Sequence, residues 1–155
     1  YLDNTDNQSL SYNPATYTLS ISGGTGTAIG SLIAFRAKKL VSETGLVSGT
    51  EYDFVTPVID YNDGSGFNSS TGIFTAPQTG IYTFNIRYDA VIGAGIKIYL
   101  NGQEYEKVAE AISSSGPVFR SITMKLSANN VVKVVVNIGM RLESGTGCFS
   151  GYRGY

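Results

Sequence analysis

Residues 61–88 read YNDGSGFNSSTGIFTAPQTGIYTFNIRY. In the second half of this stretch Tyr82, Phe84, Ile86 and Tyr88 alternate with Thr83, Asn85 and Arg87. A two-residue period puts the four large apolar side chains on one face, the pattern of a half-buried β-strand. The first half is turn material. Asp63-Gly64, Thr71-Gly72 and Thr79-Gly80 punctuate it, with Gly72 and Gly80 following Thr where a positive φ is useful. Pro77 stops a strand from extending between two turns. Phe74, Tyr82 and Phe84 each bring a large apolar area to a core that has no Trp.

The same period runs outward in both directions. Ile33, Phe35 and Ala37 share a face upstream. Downstream, Ile96, Ile98 and Leu100 alternate with Lys97 and Tyr99 before Asn101-Gly102, a tight hairpin turn. Ile122, Met124 and Leu126 alternate with Thr123 and Lys125, and Asn129-Asn130 then turns the chain into Val131–Ile138. There Val132, Val134, Val136 and Ile138 line one face, while Val131 and Val135 make the other partly apolar, which predicts a strand covered on both sides. Further turn signals stand at Gly93-Ala94-Gly95 and Ser144–Gly147. Short strands at this spacing predict an all-β sandwich or barrel. One segment dissents: Gln103–Ile112 is rich in the helix formers Glu, Lys and Ala. It is marginal in length and lies between strands, so strand and loop are expected.

Residues 1–30 have a different character, dominated by Asn, Asp, Thr, Ser and Gly. Two short alternating runs, Leu10–Tyr12 and Tyr17–Ile21, flank Asn13-Pro14-Ala15-Thr16, and a flexible Gly23-Gly24-Thr25-Gly26-Thr27 follows. A lone hairpin is marginal and needs a partner surface. A stalk or connector over 1–30, followed by a head over 31–155, is the expected organisation.

Composition removes whole classes of function. The 155 residues carry a formal net charge of −1 and no Lys/Arg-rich run, leaving little attraction for nucleic acid or anionic lipid. No apolar stretch approaches the roughly 18 residues of a membrane span, so no membrane insertion is expected. The chain opens at Tyr1 without Met or signal peptide, as a piece of a longer or processed protein would. Without His there is no Ser-His-Asp unit and no His-ligated zinc. The single Cys148 allows no internal disulfide and reads as a small, buried or half-buried side chain. Gly24-x-Gly26 with Gly30 precedes a strand rather than a helix, which removes the reason for a dinucleotide loop.

Within 61–88, Asn62 is followed at fixed spacing by Phe67, Phe74 and then Gly80-x-Tyr82-x-Phe84. This pattern, with Ser70-Thr71-Gly72-Ile73-Phe74-Thr75-Ala76-Pro77, resembles the globular head domain of complement component 1q, a relative of the tumour-necrosis-factor jelly rolls. Ile33-Ala34-Phe35-Arg36-Ala37 resembles that family's first strand, Ile98-Tyr99-Leu100-Asn101-Gly102 a central strand and turn, and Phe149-Ser150-Gly151-Tyr152 the closing strand. Thr56 and Ile86 stand where the pattern has aromatic residues, and Phe54 and Tyr88 lie close enough to substitute in packing. Residues 6–24 are similar to a short module repeated in bacterial surface and phage tail proteins.

The resemblance implies a jelly-roll β-sandwich that forms a homotrimer, with interface candidates Tyr88, Phe119, Tyr152 and Tyr155. It implies an extracellular, non-enzymatic recognition domain at the tip of a phage tail fibre or bacterial surface fibre, binding a host-cell glycan or protein. The alternative is a structural head that locks a fibrous stalk without binding any receptor. Tyr99, Asn101, Gln103, Glu104 and Tyr105 surround one hairpin and are the ligand-binding candidates, because aromatic rings stack on sugars while amides and carboxylates bond hydroxyls. An ordinary solvated hairpin is the competing reading. Asp60 and Asp63 beside Gly64 are oxygen ligands of the kind calcium takes, and some relatives carry calcium, although the full EF-hand series is missing. No other cofactor is implied. A carboxylate-pair depolymerase has Asp53, Asp60, Asp63, Asp89, Glu104 and Glu106 available, and no spacing singles out a pair.

Overall fold

A computed structural model describes residues 9–15, 18–22, 27–28, 32–39, 54, 57–90, 93, 95–109, 116–136 and 147–154. The chain divides into two compact units, Tyr1–Leu32 and Ile33–Tyr155. In the first, β1 (Leu10–Asn13), β2 (Thr18–Ile21) and β3 (Thr27–Ala28) form an antiparallel sheet in that order. The Asn13 side-chain oxygen accepts from Ala15 N at 2.9 Å and so shapes the turn at Pro14. Leu10 pairs with Ile21 and Tyr12 with Leu19, which sets these four on one face. Leu10, Tyr12 and Ile21 remain exposed there. The glycine-rich residues 23–26 lie outside the described residues.

The second unit contains β4 (Ala34–Lys39), β5 (Val58–Asp63), β6 (Phe67–Asn68), β7 (Ile73–Thr75), β8 (Gly80–Ala90), β9 (Ile96–Leu100), β10 (Gln103–Ala109), β11 (Gly116–Leu126), β12 (Val131–Val136) and β13 (Gly147–Arg153). They form two five-stranded antiparallel sheets, ordered β10-β9-β12-β7-β6 and β11-β8-β13-β4-β5. The last strand, β13, lies between β4 and β8, so the chain ends bonded to the strand that opens this unit. That return, with both sheets antiparallel, is the jelly-roll arrangement.

In this unit the alternating runs read in the sequence turn their described apolar faces inward. Ile33, Phe35, Ala37, Tyr82, Phe84, Ile86, Tyr88, Ile96, Ile98, Ile122, Met124 and Leu126 are all buried. An aromatic cluster holds the two sheets together. Phe35 stacks on Phe67 at 4.8 Å and on Phe74 at 5.0 Å, and meets Phe149 edge-on at 5.0 Å. Burying one such ring is worth about 1.5–3 kcal/mol from area alone. Gly151 lets β13 sit on this cluster, because a Cβ there would lie 2.6 Å from Phe84 and 2.8 Å from Phe35. Phe54 is fully buried against Tyr88 and Phe149, so it does fill core space; Thr56 lies outside the described residues.

Two local expectations are refined. Gly72 does take a left-handed φ of 71°, but Gly80 is the first residue of β8 and its place is set by crowding instead, since a Cβ there would run into the Arg153 side chain. The helix formers of 103–112 form β10 as far as Ala109, where pairing with β9 overrides their propensity. β12 is covered on both sides: Val132 and Val134 face the core, and Val135, on the opposite face, is 6% exposed.

Candidate functional site

Two surfaces of the second unit carry the residues singled out by sequence. The first is the β9–β10 hairpin. Asn101 and Gly102 both adopt left-handed φ, 51° and 81°, as an Asn-Gly hairpin turn requires. The backbone N of Asn101 donates to Val131 O, and its side-chain oxygen accepts from Val131 N, each at 2.8 Å. The hairpin tip is thereby fastened to the start of β12. Tyr99 and Glu104 are cross-strand partners, and Tyr99 also pairs with Lys133, whose ammonium lies 5.8 Å from the ring centroid. The Glu104 carboxylate forms an ion pair with Lys97. Tyr105 is the extra residue of a β-bulge, and the bulge leaves its ring exposed. Gln103 is exposed beside the turn. The structure therefore gathers all five candidates at one corner, with Asn101 and Glu104 already engaged inside the chain.

The second surface is the outer face of β11-β8-β13-β4-β5. Phe119 and Tyr152 stand on it, exposed by 65% and 49%. Tyr88 does not. It shares the inward face of Tyr82, Phe84 and Ile86, has no exposed surface, and packs on Phe54 at a centroid distance of 5.4 Å. The two-residue period had already put it there, so it belongs to the core and offers nothing to a neighbouring chain. Tyr155 lies outside the described residues.

Sequence reasoning missed the polar part of this face. Adjacent rows run across its three central strands: Asn85, Ser150 and Arg36 in one, Arg87, Cys148 and Lys38 in the next. The middle strand, β13, carries small side chains between long ones on β8 and β4. The result is a trough of about 320 Å³, closed at one end by Phe119. The Arg87 guanidinium lies 5.2 Å from the Phe119 ring centroid. Cys148 is half-buried, and its sulfur, with Asp60, holds the Arg36 guanidinium above its ordinary pKa. The available signal was Arg36-x-Lys38 on the polar side of an alternating strand; its neighbours emerge only once the register is known.

Asp60 is the bulged residue of β5, standing where Arg36 pairs with Tyr61 and Ala37 with Ile59. Its carboxylate meets Lys38 at 2.7 Å and Arg36 at 3.6 Å. Two cations so close oppose a third, and among the described residues no three His, Cys, Asp or Glu side chains gather as a metal centre needs. Asp63 is exposed at the end of β5. Asn62 has a structural role: its side-chain amide donates to Phe67 O at 2.8 Å and accepts from Phe67 N at 3.1 Å, extending the ladder around the corner between the sheets.

Strand order and core together define a jelly roll of the complement and tumour-necrosis-factor type. The chain belongs to the C1q domain family, which its residues 34–153 match. Among solved structures it is similar to the globular domain of zebrafish complement 1qA, at 15% identity over 79% of this chain and 98% of that one, with a TM-score of 0.62. It is also similar to murine APRIL, at 15% identity over 79% of this chain and 98% of that one (TM-score 0.57). Eiger TNF from S. frugiperda matches at 13% identity over 81% of this chain and 94% of that one (TM-score 0.56). No curated protein sequence matches the chain. Domains of this class are generally non-enzymatic.

Proposed function

We propose that this chain is a non-enzymatic, extracellular recognition head that assembles as a homotrimer through the outer face of β11-β8-β13-β4-β5. One observation carries the assembly. Among the described residues of 33–155, the large apolar side chains that stand exposed are Val58, Tyr61, Ile81, Tyr105, Phe119 and Tyr152. All except Tyr105 lie on that one sheet face, as the pairings of Val58 with Lys38, Tyr61 with Arg36, Phe119 with Arg87 and Tyr152 with Ala34 and Thr83 require. Apolar surface concentrated in this way marks an interface. Domains of this class are typically trimeric and act in receptor binding or in trimerisation. Three copies of the β9–β10 corner on one assembly raise avidity for a repetitive target without any new contact.

The setting we propose is the tip of a phage tail fibre or bacterial surface fibre, with residues 1–30 as the stalk or connector and a host-cell glycan or protein as the receptor. The resemblance of residues 6–24 to a repeated fibre module supports it, as does the exposed apolar face of Leu10, Tyr12 and Ile21, which suits a stalk segment that packs on a partner surface. A second reading, a head that only locks the stalk, is favoured by the internal engagement of Asn101 and Glu104. Labelled protein applied to a glycan array and to bacterial cells separates the two. Retention that falls when Tyr99 and Tyr105 are both replaced by Ala supports recognition at the hairpin. A trimer retained on neither supports the structural role.

A further inference from the structure

The trough across β8, β13 and β4 has a chemistry that neither core packing nor the apolar interface uses. Its walls carry three cations, Arg36, Lys38 and Arg87. One carboxylate, Asp60, answers Lys38 and Arg36. Arg87 has an aromatic ring and no carboxylate among the described residues. Among the described side chains, the depression thus holds about two more positive than negative charges, although the formal net charge of the chain is −1. Asn85 and Ser150 add an amide and a hydroxyl on the same surface. The flanking strands stand two inter-strand spacings apart, about 9.6 Å, so long side chains from both sides can close on one small group between them.

We propose that this trough binds a small tetrahedral oxyanion, phosphate or sulfate, with the Arg36 and Arg87 guanidinium groups as its principal donors. Guanidinium presents parallel N–H donors that match an oxyanion in pairs, and Lys38 adds a point charge. The small floor at Ser150 and Cys148 leaves room for the ion. The trough also lies on the face assigned above to assembly, and a further consequence rests on that assignment. Three such faces brought together would concentrate like charge in a drier environment, which opposes assembly. A bound oxyanion in each chain removes that opposition, so assembly and anion binding favour one another.

Titration calorimetry of the full chain with inorganic phosphate, and in parallel with glucose 6-phosphate, at constant ionic strength set by chloride, tests the site. Phosphate is expected to bind in preference to chloride, and Arg87→Gln and Arg36→Gln are each expected to weaken it at least tenfold with an unchanged circular dichroism spectrum. Lys133→Gln, on the other sheet, is expected to leave binding intact. Tighter binding of the free ion identifies a counterion, and tighter binding of the ester identifies a phosphorylated sugar as the oxyanion's source. Binding of neither, or binding indifferent to both arginine variants, overturns the proposal. Light scattering in the same buffers reads assembly separately: single-chain mass with phosphate binding intact would overturn the trimer and leave the site standing, while a trimer that binds no phosphate would do the reverse.

Discussion

The inner and outer faces of β11-β8-β13-β4-β5 are made by the same five strands and the same two-residue alternation, yet they solve different problems. Inward, β8 presents Tyr82, Phe84, Ile86 and Tyr88, and every one is at most 2% exposed. Outward, the sheet presents Ile81, Tyr152, Phe119 and Tyr61, each at least 43% exposed, with the basic trough among them. The inner rings find partners on the facing sheet of their own chain, such as Phe74, which lies 5.3 Å from Phe84. Among the described residues of the second unit, no sheet faces the outer rings. Alternation decides which residues share a face, but only the tertiary fold decides whether a face is satisfied at home. An apolar face left over after the sandwich has closed points to a partner.

This contrast is sharpest where removing a ring does the most damage. Phe84→Ala should lower unfolding free energy by about 3–5 kcal/mol in a urea titration, because the ring is buried among Phe35, Phe74, Tyr82 and Phe149 and leaves a cavity. A loss below about 1 kcal/mol would mean that the two faces are less different than described. Next in size, Asn101→Ala should cost about 1–2 kcal/mol by the same measurement. It puts a Cβ-bearing residue without a local hydrogen bond at φ 51° and leaves Val131 N without its side-chain acceptor.

A pH titration probes the inner face without mutation. Burial pushes the Tyr82 phenol above its ordinary pKa of 10.0 while its hydroxyl donates to Gln78 O at 2.7 Å. The folded state therefore holds this proton more tightly than the unfolded one. The stabilisation is complete below pH 10 and is lost as pH rises through the higher folded value, so urea midpoints should fall only on the alkaline side. Tyr82→Phe should flatten that alkaline limb.

The smallest effect on unfolding is expected at the outer face. Phe119→Ser with Tyr152→Ser should change the unfolding free energy by less than about 0.5 kcal/mol when compared at dilutions where both proteins are single chains. The same pair should abolish association at higher concentration. Equal association of variant and wild type would break the comparison between the faces.

Much of the fold was legible because burial follows the strand period. The runs around Phe35, Phe84, Ile98, Met124 and Val134 all face inward as read. Tyr88 shows the cost of setting that rule aside: its period placed it in the core, while the family resemblance made it an interface candidate. Gln103–Ala109 shows the opposite case, where local propensity favoured helix and pairing with β9 decided otherwise. The hairpin candidates were legible as neighbours because they are close in sequence. Their engagement was not, since Lys97, Val131 and Lys133 reach them across strand pairings. The trough was hidden for the same reason: Arg36, Arg87 and Ser150 come from distant parts of the chain and become adjacent only through the β4-β13-β8 register.

The proposed trimer requires the outer face of one sheet to join three chains. Multi-angle light scattering of the full chain at micromolar concentration in phosphate buffer tests it most directly. The expected mass is three times 16.5 kDa, reverting to 16.5 kDa when Phe119 and Tyr152 are replaced by Ser. A wild-type mass of 16.5 kDa across the accessible concentration range would contradict it.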